Sequence, residues 1–439
     1  MSAGSNGKGG GAGGGNAARA APTVGAGADG RGPWSGVRVL DLTGLLGAYG
    51  TRVWAALGAD VICVEPTEGN PIRRMPPLAP GHQGPEASLW WAYFGATKRS
   101  VVLDPTHPDG AAALVGLIGT ADVVLDDALP HIQESYPWLA DSGQGGLGIA
   151  GIVKRFPRLT WVSITPFGMT GPRRHWQSSN LVGWASCGLA STVGFPHGPP
   201  LAPAGEIGVL MHAASLHAVI GSMLSLRARD QAVAASEAAS TQNSGPSVGQ
   251  TIDLSLQEVG LWLSPETGVP LYLDDQVPRP RAGNRRPVTS PMGLYPASDG
   301  HVAIIAIQPT HWNAVAQWVH EVTGNEGILD DIFVDIVVRR EALEAVDAWV
   351  EELTTRFTKQ ELFIEGQRRR IPITPVNTVG DLRHDPHLDA VGWWRTEEHP
   401  VLGSFTVPGS PFTTDGDWWA WKRAPLLGEH TDEVLNELV

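Results

Sequence analysis

Cysteine is scarce: the 439 residues hold only Cys63 and Cys187. One lies in an apolar strand-like run and the other among small residues, so two buried thiols in a reducing compartment are expected rather than a disulfide. No CxxC, HExxH or paired-histidine spacing occurs, and no metal site is expected. Charge is sparse as well, at 17% Asp, Glu, Lys and Arg, and there is no basic excess. The net charge of -14 repels nucleic acid and anionic membrane surfaces, so neither is expected as a partner. No segment reads as an uncharged run long enough to cross a bilayer, and no repeat of solenoid period is present. Residues 1–33, mostly Gly, Ala and small polar residues, lack the apolar core of a secretory signal. They also carry too little apolar surface to offset ordering entropy, so a disordered tail is expected on a cytoplasmic protein.

What is present is alternation. Val37 to Leu42 reads as a strand, broken by Gly44, Gly47 and Gly50 before a helix over Thr51 to Leu57. Gly58-Ala59-Asp60 turns the chain into a second apolar strand, Val61 to Glu65. Strand, glycine-rich turn, helix and strand within about thirty residues make the βαβ unit of a doubly wound parallel sheet. Strands are expected again at Ser100–Leu103, Asp122–Leu125 and Leu159–Ile164, with a helix opened by Pro108-Asp109-Gly110. The fold class is therefore α/β with helices on both faces. A long helix is expected from Ile207 to Arg229, then a flexible Ala/Ser/Gln/Gly insertion over 230–249. Strand and helix resume from Thr251 to Leu263, and Pro278–Pro291 reads as a loop dense in Pro, Gly and Arg. A strand follows an Asp-Gly turn at Gly300–Ile305, with helices around 310–322 and 341–368 and short strands and turns from Ile371 to Pro411.

Six segments, taken in order, resemble the class III CoA-transferases. They are Val39-Leu40-Asp41-Leu42-Thr43 with Leu57-Gly58-Ala59-Asp60-Val61 and Val64-Glu65-Pro66; Lys98 to Asp104; Phe167-Gly168 with Gly171-Pro172; Gly283-Asn284-Arg285-Arg286-Pro287 running to Asp299-Gly300; Pro375-Val376-Asn377-Thr378 running to Glu398-His399-Pro400; and Leu427 to Leu435. The resemblance implies a Rossmann-like large domain from residues 34–229 and 376–439, and a smaller α+β domain with linker over 250–375. It also implies two chains interlocked as a dimer, for which the 17 Trp residues suit wide interchain burial. It implies further that no cofactor is permanently bound and that a coenzyme A thioester is the substrate.

The reaction implied by the resemblance is covalent. An Asp carboxylate attacks the donor thioester, forming a mixed anhydride and releasing CoA thiolate. The thiolate then attacks the Asp carbonyl, giving an aspartyl-CoA thioester and the free donor acid, and the acceptor carboxylate reverses these steps. The family sets its Asp in Gly-x-x-Asp-Gly-Pro-Pro, and here the matching run Gly194-Phe195-Pro196-His197-Gly198-Pro199-Pro200 places His197 there. Imidazole has no carbonyl carbon and cannot carry CoA as a thioester. Where the family has Glu-Asn-Phe and then an Arg around the nucleotide, this chain has Asp126-Asp127-Ala128, with no Arg until Arg155. Lys98 and Arg99 match and are candidates for a CoA phosphate, against the plainer role of a turn before a strand. The racemase branch of the fold needs a His-Asp pair and a further Asp, where this chain has Ser179, Asn180 and Glu206. The loop with Gly283, Asn284, Arg285 and Arg286 keeps the family pattern and is expected to close over a partner's active site.

The expectation is therefore a subunit without its own nucleophile, paired with a paralogous catalytic subunit. Heteromeric members of the family move CoA from succinyl-CoA to a dicarboxylic acid such as benzylsuccinate or malate. Two rivals stay open: an active homodimer using another carboxylate, with Glu206 first, and a non-enzymatic binding protein of the same fold.

Overall fold

In the computed structural model, residues 32–127, 148–203, 205, 207–238, 249–263, 281–286 and 289–438 are described. Most of the Gly-rich tail expected to be disordered lies outside them, as does 239–248 of the expected insertion. The apolar runs form a six-stranded parallel sheet in the order β3-β2-β1-β4-β5-β6. Its strands are β1 (Arg38–Leu42), β2 (Asp60–Glu65), β3 (Arg99–Val102), β4 (Val123–Asp126), β5 (Thr160–Thr165) and β6 (Thr251–Ser255).

Strand residues alternate between two cores, as period-two geometry requires. Val39, Val61, Val123 and Val162 face one cluster, covered by α1 (Ala48–Ala56) and the long helix that begins at Val209. Leu40, Ile62, Val124 and Trp161 face the other, under α3 (Pro108–Thr120) and α4 (Gly148–Arg155); α2 (Leu89–Phe94) packs beside α1. Burial on both faces explains why these strands read as near-continuous apolar runs.

Three sequence expectations change here. The helix expected to stop at Arg229 continues to Ala238; with α5 (Asn180–Ser186) and α6 (Leu189–Thr192) preceding it, this is α7 (Val209–Ala238). Its stretch Val209–Ala234 holds an 18-residue window of mean hydropathy 1.6 and is, by length and composition only, long and apolar enough to cross a membrane, against the expectation that no segment would be. Half of that window is buried within the fold, against α1, β5 and β6, because a helix lying along a parallel sheet needs an apolar face where it packs. Thr251–Ser255, grouped on sequence with the small domain, pairs in parallel with β5 in the large sheet, and α8 (Leu256–Trp262) follows it.

A second sheet is antiparallel, β7 (Met292–Ala297), β8 (Gly300–Ile305) and β9 (Ile373–Pro375) in that order. It has its own core, built from Tyr295, Val302 and Ile304 with Trp312, Val350 and Leu362. The helices around it are α9 (Pro309–Thr323), α10 (Ile336–Glu341), α11 (Leu343–Thr354) and α12 (Lys359–Arg368), so the single helix expected over 341–368 is two. Thr358 makes the break: its side chain caps α12 in a reciprocal capping box with Glu361. Beyond come α13 (Val379–Arg383), α14 (Pro386–Ala390), the hairpin β10 (Arg395–His399) with β11 (Gly403–Val407), and α15 (Thr431–Asn436).

The chain then returns to the outer strand of the large sheet. Gly428 N–H donates to Ser100 Oγ (2.9 Å), His430 N–H to Ser100 O (3.0 Å), and Val102 N–H to Thr431 Oγ1 (3.0 Å). These contacts satisfy backbone groups that an open β3 edge would otherwise present to other chains.

Candidate active site

The strand order reverses direction between β1 and β4, which places a crevice at their carboxyl ends. The glycine-rich turn after β1 and Asp127, directly after β4, meet there. Asp127 accepts from the Gly44 N–H (2.8 Å) and the Leu46 N–H (2.9 Å). Burial pushes its carboxyl up to about 6, against the pull of those N–H groups toward the charged form. An internal carboxylate thus occupies amides that elsewhere in such folds face an anionic ligand.

Lys98 and Arg99 spend their charges inside the chain. Lys98 is buried, with Nζ 2.9 Å from Asp41 Oδ2 and 2.7 Å from Thr51 Oγ1. Arg99 holds Asp60 through Nη2 and Nε (2.6 and 2.9 Å), and reaches Glu437 at 2.6 Å and Glu433 at 3.2 Å. Through these pairs the two cations join β3 to β1, β2 and α15. Ala128 lies outside the described residues.

A second cluster forms around His197. Its loop, residues 194–200, leaves α6 and exposes the imidazole. Gly194 adopts φ +133°, and a Cβ there would stand 2.9 Å from Pro199 O, so this turn requires glycine. Arg281 grips the loop through carbonyl oxygens: Gly198 O at 2.6 Å, Phe195 O at 3.3 Å and Ser191 O at 3.4 Å. Gly283 N–H donates to Gly194 O at 2.9 Å, and with φ +61° Gly283 lets its backbone lie against the Phe195 ring.

The loop expected to close over a partner therefore meets this chain's own 194–200 loop. Asn284 takes part through its backbone, its O accepting from Leu294 N–H at 2.9 Å. Arg285 turns inward. It pairs with Asp347 (3.0 Å) and Glu351, donates to Leu294 O, and stacks 3.9 Å from the Tyr295 ring centre. Arg286 is the exposed cation of the loop.

Glu206 is outside the described residues. Asn180 is buried and its Nδ2 donates to Gly205 O at 3.0 Å; its Oδ1 has no partner among the described residues. Ser179 caps α5, accepting from Val182 N–H at 3.3 Å. Neither makes a His-Asp pair. Among the described residues no group of three or more His, Cys, Asp or Glu converges as a metal site.

Sequence reasoning named the 281–287 loop but did not single out Arg281 or its hub Asp347. Arg281 sits in a Pro/Gly/Arg run without periodicity, and Asp347 on an amphipathic helix looks like any other acidic position. Only the fold brings Asp347 to Ser290, Arg285 and the Tyr295 hydroxyl, 2.5 Å away.

With this geometry established, comparison with known proteins is informative. The model of CoA-transferase family III matches residues 34–431. The chain is 30% identical to the succinyl-CoA:(R)-benzylsuccinate CoA-transferase subunit BbsE of Thauera aromatica, over 92% of this chain and 94% of that one. It is 28% identical to the succinyl-CoA–D-citramalate CoA-transferase of Chloroflexus aurantiacus, over 93% and 94%. A solved CAIB/BAIF family protein from Brucella suis superposes with TM-score 0.76 at 23% identity, covering 93% of this chain and 100% of that one, which speaks to the fold.

Proposed function

We propose that this chain, which belongs to CoA-transferase family III, is one subunit of a heteromeric enzyme that moves CoA from succinyl-CoA to a dicarboxylic acid. A paralogous partner supplies the attacking carboxylate. Members of the family use CoA thioesters as substrates, so the chemistry is acyl transfer through enzyme-bound anhydride and thioester.

The observation that carries the reading is position 197. An exposed imidazole stands there, on a loop that Arg281 and Gly283 hold in place. A carboxylate at such a site would attack the thioester carbonyl, lose CoA as thiolate, and then be attacked by that thiolate as the donor acid leaves. Imidazole accepts the acyl group but offers no carbonyl for the second attack. Two further features support the reading. Asp127 fills the amides of the switch-point turn, and Lys98 and Arg99 are neutralised by internal carboxylates. This chain's part is then to complete the partner's site, with Arg286 its exposed cation.

A second reading, a self-sufficient enzyme using Glu206, is favoured by Asn180, whose amide fixes the backbone one residue before that position. One experiment separates the two. The purified chain is incubated with succinyl-CoA and any adduct is mapped by mass spectrometry. No covalent CoA on this chain, with an adduct on a co-purifying paralogue, is expected. A CoA adduct on the lone chain that Glu206→Gln abolishes establishes the second reading. His197→Ala is expected to leave turnover of the assembled enzyme within about twofold, since no bond to position 197 is made.

A further inference from the structure

Arg52, on α1, is 2% exposed, and its Nε and Nη1 have no hydrogen-bond partner among the described residues. Its guanidinium lies 5.2 Å from the Trp421 ring centre and 5.8 Å from that of Trp419. Arg395 stacks on the same Trp421 at 4.7 Å. Half-buried Glu397 is the carboxylate that acts on both cations, yet neither forms an ion pair within 4 Å among the described residues. Burial lowers Arg52 to about 10, so it stays charged at neutral pH. Arg52 is thus a buried charge with no counter-ion in contact, which is costly.

Beside this cluster is a cavity of about 600 Å³. Trp393, Phe412, Trp418 and Trp419 wall it, and Arg395 is its cation. Trp393 is fixed, its Nε1 donating to Ser410 O at 3.1 Å. The Trp419 and Trp421 indole N–H groups are buried and have no partner among the described residues. Asp389 and Asp417 also line the cavity; both are exposed. No residue of the 194–200 or 281–286 loops contributes to it. The volume is that of a small-molecule site, and the lining combines flat apolar walls with a few convergent donors.

We infer that Arg395 and the Trp393, Trp418 and Trp419 walls, backed by Arg52 on Trp421, form a binding site for a small carboxylate with an aromatic body. The ring stacks on the indoles, and the carboxylate meets Arg395. Aromatic walls select the body and the unpaired guanidinium selects the charge. An aliphatic acid of the same charge forfeits the stacking; a neutral arene forfeits the ion pair. The inference concerns binding alone and holds whichever chain supplies the transferase nucleophile.

The test uses the full chain without CoA. Phenylacetate and phenylsuccinate are titrated by calorimetry and by tryptophan fluorescence, with acetate, inorganic phosphate and coenzyme A as comparison probes. Saturable binding of the aryl carboxylates with tryptophan quenching is expected, weakened about tenfold or more in Arg395→Gln, the loss of one carboxylate contact. Trp418→Ala, at an exposed position, weakens the aryl acids and leaves acetate unchanged. The inference is overturned by absence of saturable aryl-carboxylate binding at millimolar concentration, by equal affinity in Arg395→Gln, or by tighter binding of phosphate or coenzyme A than of the aryl acids.

Discussion

Removing the Arg281 side chain should loosen the 194–200 loop without unfolding the protein. Of its three contacts to carbonyl oxygens, the 2.6 Å bond to Gly198 O is short and charge-assisted, while those near 3.3–3.4 Å are long. A hydrogen bond from a charged donor contributes about 1.5–3 kcal/mol. The site is partly exposed, so about 2 kcal/mol is assigned to the whole grip, most of it in the short bond. That corresponds to about a thirtyfold rise in the open population of the loop. Three amides report on it: Gly198 N–H to Phe195 O, Leu201 N–H to Val193 O, and Gly283 N–H to Gly194 O. Hydrogen exchange read by mass spectrometry on Arg281→Ala should therefore accelerate over about 190–203 and 281–286, and leave peptides from β7–β9 unchanged. Lysine keeps one short contact but not the fork, so Arg281→Lys should fall between. Exchange within twofold of wild type in the loop would refute the reasoning, as would equal acceleration everywhere.

Three further outcomes follow from the geometry. Asp127 has its folded value raised from 3.8 to about 6, so the native state binds this proton more tightly than the unfolded chain; the resulting stabilisation is complete below about pH 4 and lost as pH rises through about 6. It amounts to about 1–3 kcal/mol for a part-buried group, and urea midpoints of wild type should fall against Asp127→Asn across that window; a constant difference would count against it. Gly283→Ala places a Cβ 2.9 Å from Phe195 Cδ1 in a left-handed backbone, and should lower the melting temperature by the equivalent of about 1–3 kcal/mol while Gly81→Ala, with open space around it, costs less. Asp347→Ala takes from Arg285 one of its two carboxylates and from the Ser290 and Tyr295 hydroxyls their acceptor, and should cost about 2–3 kcal/mol in urea unfolding; Arg285→Met added to it should cost less than the sum of the two.

Most of the parallel sheet was legible because its inner strands are buried on both faces and read as apolar runs, as in Val61-Ile62-Cys63-Val64; the edge strand Thr251–Ser255, partly exposed, was not placed there. The antiparallel sheet was only half legible. Gly300–Ile305 follows an Asp-Gly turn, but Met292–Ala297 contains both Gly293 and Pro296, which mask a strand, and β9 is three residues long. The helix end at Arg229 was misplaced because an Ala/Ser/Gln stretch looks like a linker, although alanine continues a helix well. In the site, motif spacing pointed to the 194–200 and 281–287 loops, and the fold brings them together. It gave no account of where charges go. Lys98 and Arg99 are adjacent cations on paper, yet one is buried on Asp41 and the other spans Asp60 and Glu437, partners up to 338 positions away. Pairings at that distance are a property of the topology and leave no local trace.

Closure of the β3 edge by Gly428, His430 and Thr431 fixes when this sheet can be finished during synthesis. Ser100 leaves the ribosome more than three hundred residues before the segment that covers it, so a nascent chain carries a bare strand edge for most of its translation. The cluster around Tyr295 and Trp312 is translated in one stretch and needs nothing from what comes later than Pro375. Interrupted or truncated chains should therefore contain a settled antiparallel sheet beside an adhesive parallel one, and chaperone demand should concentrate on the latter until the final helix arrives.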